Sequence, residues 1–233
     1  MHTAGVTRPL SEDHVLQIPH LSGLSRADAQ HLAGQLLLLS FGPRELVVIE
    51  GQDCRGMYQL LSGRARLYRT APDGREQIMR LLQAADTFGE VAVFDAGPMP
   101  ATVETLEASE VILLPSDVFR RLVDTQAGVA HDLLKHFARR LRSFTELVEQ
   151  VSLQTVQQRV ARYLYFAARE EGKPAPNGVV IERVITLQDL ASLVGSVREV
   201  VSRTLHTLEV EGIVEVRRRE IVVLDMGALR SLL

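Results

Sequence analysis

One cysteine, Cys54, in 233 residues is too few for an internal disulfide, a four-cysteine zinc site or a four-cysteine iron–sulfur cluster. Its solitude suits a reducing compartment. No apolar run approaches the ~20 residues that a membrane-spanning helix needs, so no membrane partner is expected. The opening residues, MHTAGVTRPL, lack an apolar stretch after their charges, which argues against a secretory signal and for a cytoplasmic protein. Also missing are a glycine-rich phosphate loop ending in lysine, a Gly-x-Ser-x-Gly elbow and a helix with paired metal-binding histidines. No catalytic residue and no metal site is therefore expected.

Net basic charge is absent too, since the chain sums to −3. That alone weighs against nucleic-acid binding. The distribution matters more than the total: residues 155–233 carry 11 Lys/Arg against 10 Asp/Glu, and residues 1–154 carry 15 against 19. A nearly neutral C-terminal part can bind phosphates if its arginines share a face. The remaining composition, 46 % hydrophobic and 24 % charged, is that of an ordinary globular protein.

Along the chain, Ser25 and Asp28 have the spacing of a helix start, and helix-forming residues follow through 39. From about 41 to 115 the texture changes. Short apolar segments (46–49, 57–61, 65–69, 78–82 and 111–114) alternate with Gly51, Gly63, Gly74, Gly89 and Gly97, and Ala71-Pro72-Asp73-Gly74 reads as a hairpin turn. Many short strands at this spacing predict a small barrel or sandwich. Between 129 and 153, Leu134, Phe137, Leu141, Phe144, Val148 and Val151 recur every three or four residues, flanked by Arg139, Arg140, Arg142, Glu146 and Glu149. That is the seam of a two-chain coiled coil, although a helix lying on its own domain would show a similar stripe. A further amphipathic helix is predicted over 154–169. The Lys173–Gly178 stretch, with two prolines, reads as a surface loop.

The C-terminal segment is the informative one. Thr186-Leu187-Gln188-Asp189 is a capping box opening a helix to about 193 or 194. Gly195 breaks it, and Ser196-Val197-Arg198-Glu199 begins a second helix running to about 209. Two short helices joined at a glycine match a DNA-binding helix-turn-helix. Ala191 permits close approach, and Leu190, Val194, Val201 and Leu205 lock the pair. Arg198, Glu199, Ser202, Arg203 and His206 project from the other side of the second helix. Arginine can give guanine two hydrogen bonds, and glutamate can accept one from cytosine. The plainer alternative has Glu199 capping Ser196 or pairing with Arg203 at i+4. Two strands, 213–216 and 221–224, then flank Arg217-Arg218-Arg219-Glu220. This hairpin resembles a wing, with Arg218 as its candidate backbone contact.

Taken together these segments have a characteristic order. Spaced barrel glycines precede Phe88-Gly89-Glu90-Val91-Ala92-Val93-Phe94 and Pro100-Ala101-Thr102-Val103-Glu104. Then come the long helix, Gln158-Arg159-Val160-Ala161, Ile185–Ala191 and Gly195–Arg203. Over about residues 15–233 this resembles the cyclic-AMP-receptor/fumarate-nitrate-regulator (CRP/FNR) superfamily, most specifically in the C-terminal motif.

The resemblance implies an α+β protein. It has a cyclic-nucleotide-binding-like double-stranded β-helix (jelly-roll) sensor over 1–128, a dimerisation helix over 129–154 and a winged helix-turn-helix over 155–233. It implies a homodimer on an inverted repeat of double-stranded DNA, with RNA polymerase as a further partner. Arg198, Glu199, Ser202 and Arg203 correspond to base-reading positions, for half-sites like TGTGA or TTGAT. Gln188, His206, Thr186, Ser196 and Arg218 complete the expected DNA contacts, and Leu134, Phe137, Leu141, Phe144 and Val148 the dimer seam. Phe88, Gly89, Glu90, Pro100, Ala101 and Thr102 mark the effector pocket. Cyclic-AMP binders of the family carry Arg-Ser where this chain has Met99-Pro100, so cyclic AMP is not expected and the small-molecule effector is unknown. Haem stays open, with His14, His20 or His31 as conceivable ligands, each read first as structural or solvated. The competing functional class is a small-molecule-binding module that does not act on DNA.

Overall fold

The computed structural model describes residues 10–182 and 185–233, so the reading of the extreme N-terminus lies outside the described residues. Two short helices, α1 (Glu12–Leu16) and α2 (Arg26–Ala33), precede the strands β1 (Leu37–Phe41), β2 (Leu46–Val48), β3 (Gly56–Ser62), β4 (Ala65–Thr70), β5 (Glu76–Leu82) and β6 (Thr87–Phe88). A short helix, α3 (Glu90–Asp95), leads to β7 (Thr102–Thr105) and β8 (Ser109–Pro115). Then follow α4 (Ser116–Thr125), the long α5 (Ala127–Leu153) and α6 (Val156–Glu170). The chain ends with β9 (Lys173–Ala175), β10 (Gly178–Glu182), α7 (Leu187–Leu193), α8 (Arg198–Val210), β11 (Val214–Val216), β12 (Glu220–Val223) and α9 (Met226–Ser231).

The first eight strands form two four-stranded sheets, ordered β1-β8-β3-β6 and β2-β7-β4-β5. Interleaving early and late strands in both sheets is the double-stranded β-helix, or jelly-roll, topology. Between the sheets lies an apolar core including Leu60, Leu82, Phe88, Val103, Val111 and Leu113. A second core forms where Ile18, Leu21, Leu32, Phe119, Val129 and Leu133 cover Leu38, Ile112 and Leu114. Alternation along β8 explains both: Ile112 and Leu114 face the helices while Val111 and Leu113 face the barrel interior.

The sequence expectation needs three adjustments. The helix opened by Ser25 stops at Ala33, and the leucine run beyond it forms β1, whose two faces enter the two cores. Lys173–Gly178, expected as a loop, is a short hairpin in which β9 pairs antiparallel with β10. Pro174 is tolerated because β9 lies at the edge of the β11-β12-β10-β9 sheet. The second helix of the helix-turn-helix starts two residues later than Ser196, with Val197 as its N-cap.

The chain divides into two compact units, one of residues 1–69 and 79–142, the other of 143–233 with 70–78. Among the described residues no helix is long and apolar enough to cross a membrane.

Candidate nucleic-acid interface and sensor barrel

The C-terminal unit builds its recognition surface from local rules. Thr186 Oγ1 accepts from the Asp189 backbone N–H at 3.1 Å, and Asp189 Oδ2 accepts from the Thr186 backbone at 2.9 Å. This is the predicted capping box, and it fixes where α7 begins. Gly195, at φ 62°, makes the left-handed turn that a side chain would disfavour. The predicted locking residues Leu190, Ala191, Val194, Val201 and Leu205 are all buried.

Arg159 on α6, noted in the sequence only as part of the Gln158–Ala161 segment, holds this turn from behind. Its Nε donates to Val194 O at 2.6 Å, and its Nη1 donates to Gln154 O at 2.6 Å and Gln150 O at 3.3 Å. Burial lowers the guanidinium pKa. One side chain thus serves carbonyls at the ends of both α5 and α7.

On α8, Val201, Leu205 and Leu208 are buried while Arg198, Glu199, Ser202, Arg203 and His206 are exposed. Neither plainer reading of Glu199 holds. The N-cap is Val197 rather than Ser196, whose own N–H donates to Ala191 O at 2.9 Å. Among the described residues Glu199 and Arg203 form no ion pair, although they stand four apart on one helix. His206 Nδ1 lies 4.0 Å from Glu209 and stays exposed.

Beside the N-terminus of α8 is an open cleft of about 560 Å³, lined by Ile185, Thr186, Leu187, Gln188, Arg198, Arg218 and Arg219. It gathers one α8 arginine, two predicted contacts from the start of α7 and two wing arginines. The wing divides its charges. Arg217 is tied to Glu215 and Glu220, at 2.8 and 2.7 Å, and braces the hairpin. Arg218 and Arg219 are exposed and have no ion-pair partner among the described residues. The cleft presents cations and N–H donors, which is what a phosphate backbone takes.

In the N-terminal unit the six expected effector-pocket residues differ in burial and in partners. Phe88 stacks on Tyr58 inside the barrel, with ring centroids 5.1 Å apart. Gly89, at φ 91°, begins α3 so close to β3 that a Cβ there would sit 2.6 Å from Gly56 O. Ala101 is buried and Pro100 exposed, and Thr102 Oγ1 accepts from Glu50 N at 3.0 Å. Met99, at the expected Arg-Ser position, is 2 % exposed and is fixed through its backbone to Gly51 and Gln52. The buried cation of this barrel is Arg66, and Glu104 already holds it at 2.7 Å.

Glu90 is buried and faces two histidines that sequence reasoning did not connect. His20 Nε2 lies 3.7 Å and His136 Nε2 3.6 Å from its Oε1. Burial pushes the carboxyl up, but the neighbouring His20, Thr87 and His136 overcome that and hold it below the usual range. Burial drives His136 down to about 4, against the pull of Glu90 and helped by His20, Arg140 and Arg80. Of the histidines considered for haem, His14 is used locally by Ser11, His31 is exposed on α2, and His20 is this buried partner.

Along α5, Leu134, Leu141, Phe144, Val148 and Val151 are all exposed. Phe137 departs from that stripe and packs against its own unit's core, 6.4 Å from Phe94.

Comparison with known proteins matches these two units to two families. Residues 38–126 fit the cyclic nucleotide-binding domain and residues 158–232 the Crp-like helix-turn-helix domain. A cyclic AMP receptor protein of Thermus thermophilus is 30% identical over 202 residues, 84% of this chain and 90% of that one. A CRP-like cAMP-activated global transcriptional regulator of Mycobacterium tuberculosis is 27% identical over 198 residues, 85% of this chain and 88% of that one. In structure, a CRP/FNR family transcriptional regulator from Thermus thermophilus superposes with a TM-score of 0.69 at 25% identity, covering 84% of this chain and 97% of that one. With a jelly-roll barrel, a helix-turn-helix and relatives matched over most of their length, the chain belongs to the CRP/FNR family of transcription regulators.

Proposed function

We propose that this regulator works as a cytoplasmic homodimer that reads an inverted repeat of TGTGA- or TTGAT-like half-sites and recruits RNA polymerase in response to a small molecule. The observation that carries the reading is the α8 surface. Arg198, Glu199, Ser202 and Arg203 are exposed near the start of a helix whose opposite face is buried. Glu199 and Arg203 are not spent on each other, so both can meet base edges. Thr186, Gln188 and Arg218 line the adjoining cleft and would hold the phosphate backbone. A twofold partner along the exposed α5 stripe would set two recognition helices about one DNA turn, ~34 Å, apart.

Two of the relatives named above are cyclic-AMP proteins, and we propose that cyclic AMP is not the effector here. Met99 supplies a thioether where the family resemblance calls for arginine, and Arg66 is committed to Glu104. A buried phosphate without a cation is poorly compensated. Selecting duplexes from a random pool, with and without cell extract or cyclic AMP, tests both statements. A symmetric motif whose enrichment ignores cyclic AMP is expected. Enrichment of unrelated sequences would refute the DNA reading, and a requirement for cyclic AMP would refute the effector reading.

A further inference from the structure

Glu90, His20 and His136 present a polar demand that nothing in the recognition surface uses. His20 lies in the turns after α1, Glu90 opens α3, and His136 is on α5, so three separate elements of the N-terminal unit converge. Their ligand-capable atoms all lie within 4.8 Å of one another. The histidine Nε2 to Glu90 Oε1 separations, 3.7 and 3.6 Å, exceed hydrogen-bond length. Glu90 Oε1 is buried and has no hydrogen-bond partner among the described residues. A buried carboxylate oxygen left in this way is costly and calls for an explanation.

A metal ion would supply one. Donors held at ~2.0–2.2 Å in a tetrahedral shell stand roughly 3.3–3.6 Å apart, close to the separations seen here. We propose that His20, Glu90 and His136 form a three-ligand site for a divalent transition metal of the zinc class, with a fourth position left for water or an effector atom. Two imidazoles and one carboxylate suit zinc, cobalt, nickel or ferrous iron better than the oxygen-seeking magnesium or calcium. Two existing contacts give way on binding: Arg140 Nε donates to His136 Nε2 at 3.2 Å, and Thr87 Oγ1 lies 3.1 Å from His20 Nε2. Arg140 keeps an anchor, since its Nη2 also donates to Thr87 O at 3.2 Å. The other nearby cation, Arg80, is held by Asp86 at 2.7 Å, which offsets its repulsion of the ion. With His136 as a ligand, the ion would pin α5 to α3 and to the N-terminal turns.

The test uses the full chain, stripped with a chelator and titrated with Co²⁺, followed by visible absorption and metal analysis. DNA is left out, so the result is separate from that of the DNA-binding reading. The expected result is about one Co²⁺ per chain, with the intense visible bands of low coordination and displacement by Zn²⁺. His136→Gln and Glu90→Gln should each weaken uptake about tenfold or more. His131→Ala, on an exposed position of the same helix, should leave it unchanged. Thermal melts of the metal-free variants show that they fold, and His136→Gln, the less buried change, decides if Glu90→Gln does not. No uptake by the wild type, uptake equal in His136→Gln, or the weak bands of six-oxygen coordination would overturn the assignment.

Discussion

Replacing Leu141 by alanine should split the proposed dimer and leave each protomer folded. Leu141 is 69 % exposed and Leu134 and Val148 nearly as much, so none of them supports its own protomer strongly. Burying a whole leucine side chain is worth about 1.5–3 kcal/mol, and covering the exposed portion of Leu141 therefore gives about 1–2 kcal/mol per protomer. Twofold symmetry doubles this to about 2–4 kcal/mol per dimer, most of which alanine forfeits. At about 1.4 kcal/mol per tenfold, the dimer dissociation constant should rise by roughly 30- to 700-fold. Sedimentation over a concentration series measures this, and a thermal melt at high concentration checks the fold. Phe137→Ala supplies the contrast. That ring packs on its own core, so its loss should cost about 2–4 kcal/mol of protomer stability. A dimer constant for Leu141→Ala within about twofold of wild type would refute the assignment of this stripe to a partner chain.

Four further outcomes follow from the recognition unit and the barrel. Glu199→Ala should relax preference at one base pair per half-site, costing about 1–3 kcal/mol there, and a competition assay with single-base variants measures it. Equal loss on every duplex would contradict that role. Arg218→Ala should instead weaken all duplexes alike and lower the slope of log affinity against log salt by about 1 per protomer, readable by fluorescence anisotropy. Arg159→Met should destabilise the C-terminal unit by about 2–3 kcal/mol through the carbonyls it abandons, seen as a lower urea midpoint. Glu104→Leu should cost about 3–5 kcal/mol, because it leaves Arg66 buried without its carboxylate.

What was legible in the sequence depended on how local the signal was. The α7 capping box and the Gly195 turn are written within four residues each, and the buried and exposed faces of α8 follow from helical period alone. All appear in the structure. The run of leucines after Ala33 was ambiguous because both of its faces are buried, which hides the alternation that marks a strand. Phe137 fitted the three–four spacing of the seam. Its ring belongs to the inner face of α5, and only tertiary packing on Phe94 reveals that. His20, Glu90 and His136 were the least legible. They stand 70 and 46 positions apart, so no spacing pattern could join Glu90, expected in the effector pocket, to His20, a conceivable haem ligand, or to His136. The same holds for Arg159, whose four carbonyl partners come from segments on either side of it in sequence.

The long helix α5 gives these separate findings a common physical consequence. His136, Phe137 and Arg140 turn toward the barrel: Phe137 packs on its core, His136 approaches Glu90, and Arg140 donates to Thr87 O. Leu134, Leu141 and Val148, seven apart on the same helix, turn outward. A rigid helix cannot rotate or slide one of these faces without moving the other. A ligand that prefers one seating of His136 and Arg140 therefore also prefers one presentation of the seam, and the size of that preference is its difference in affinity for the two seatings. Tight binding to both would change nothing, however strong it was. The effector that the proposed function calls for is thus to be sought among molecules or ions that discriminate between seatings of α5 against Glu90, and affinity for the barrel alone is an insufficient criterion.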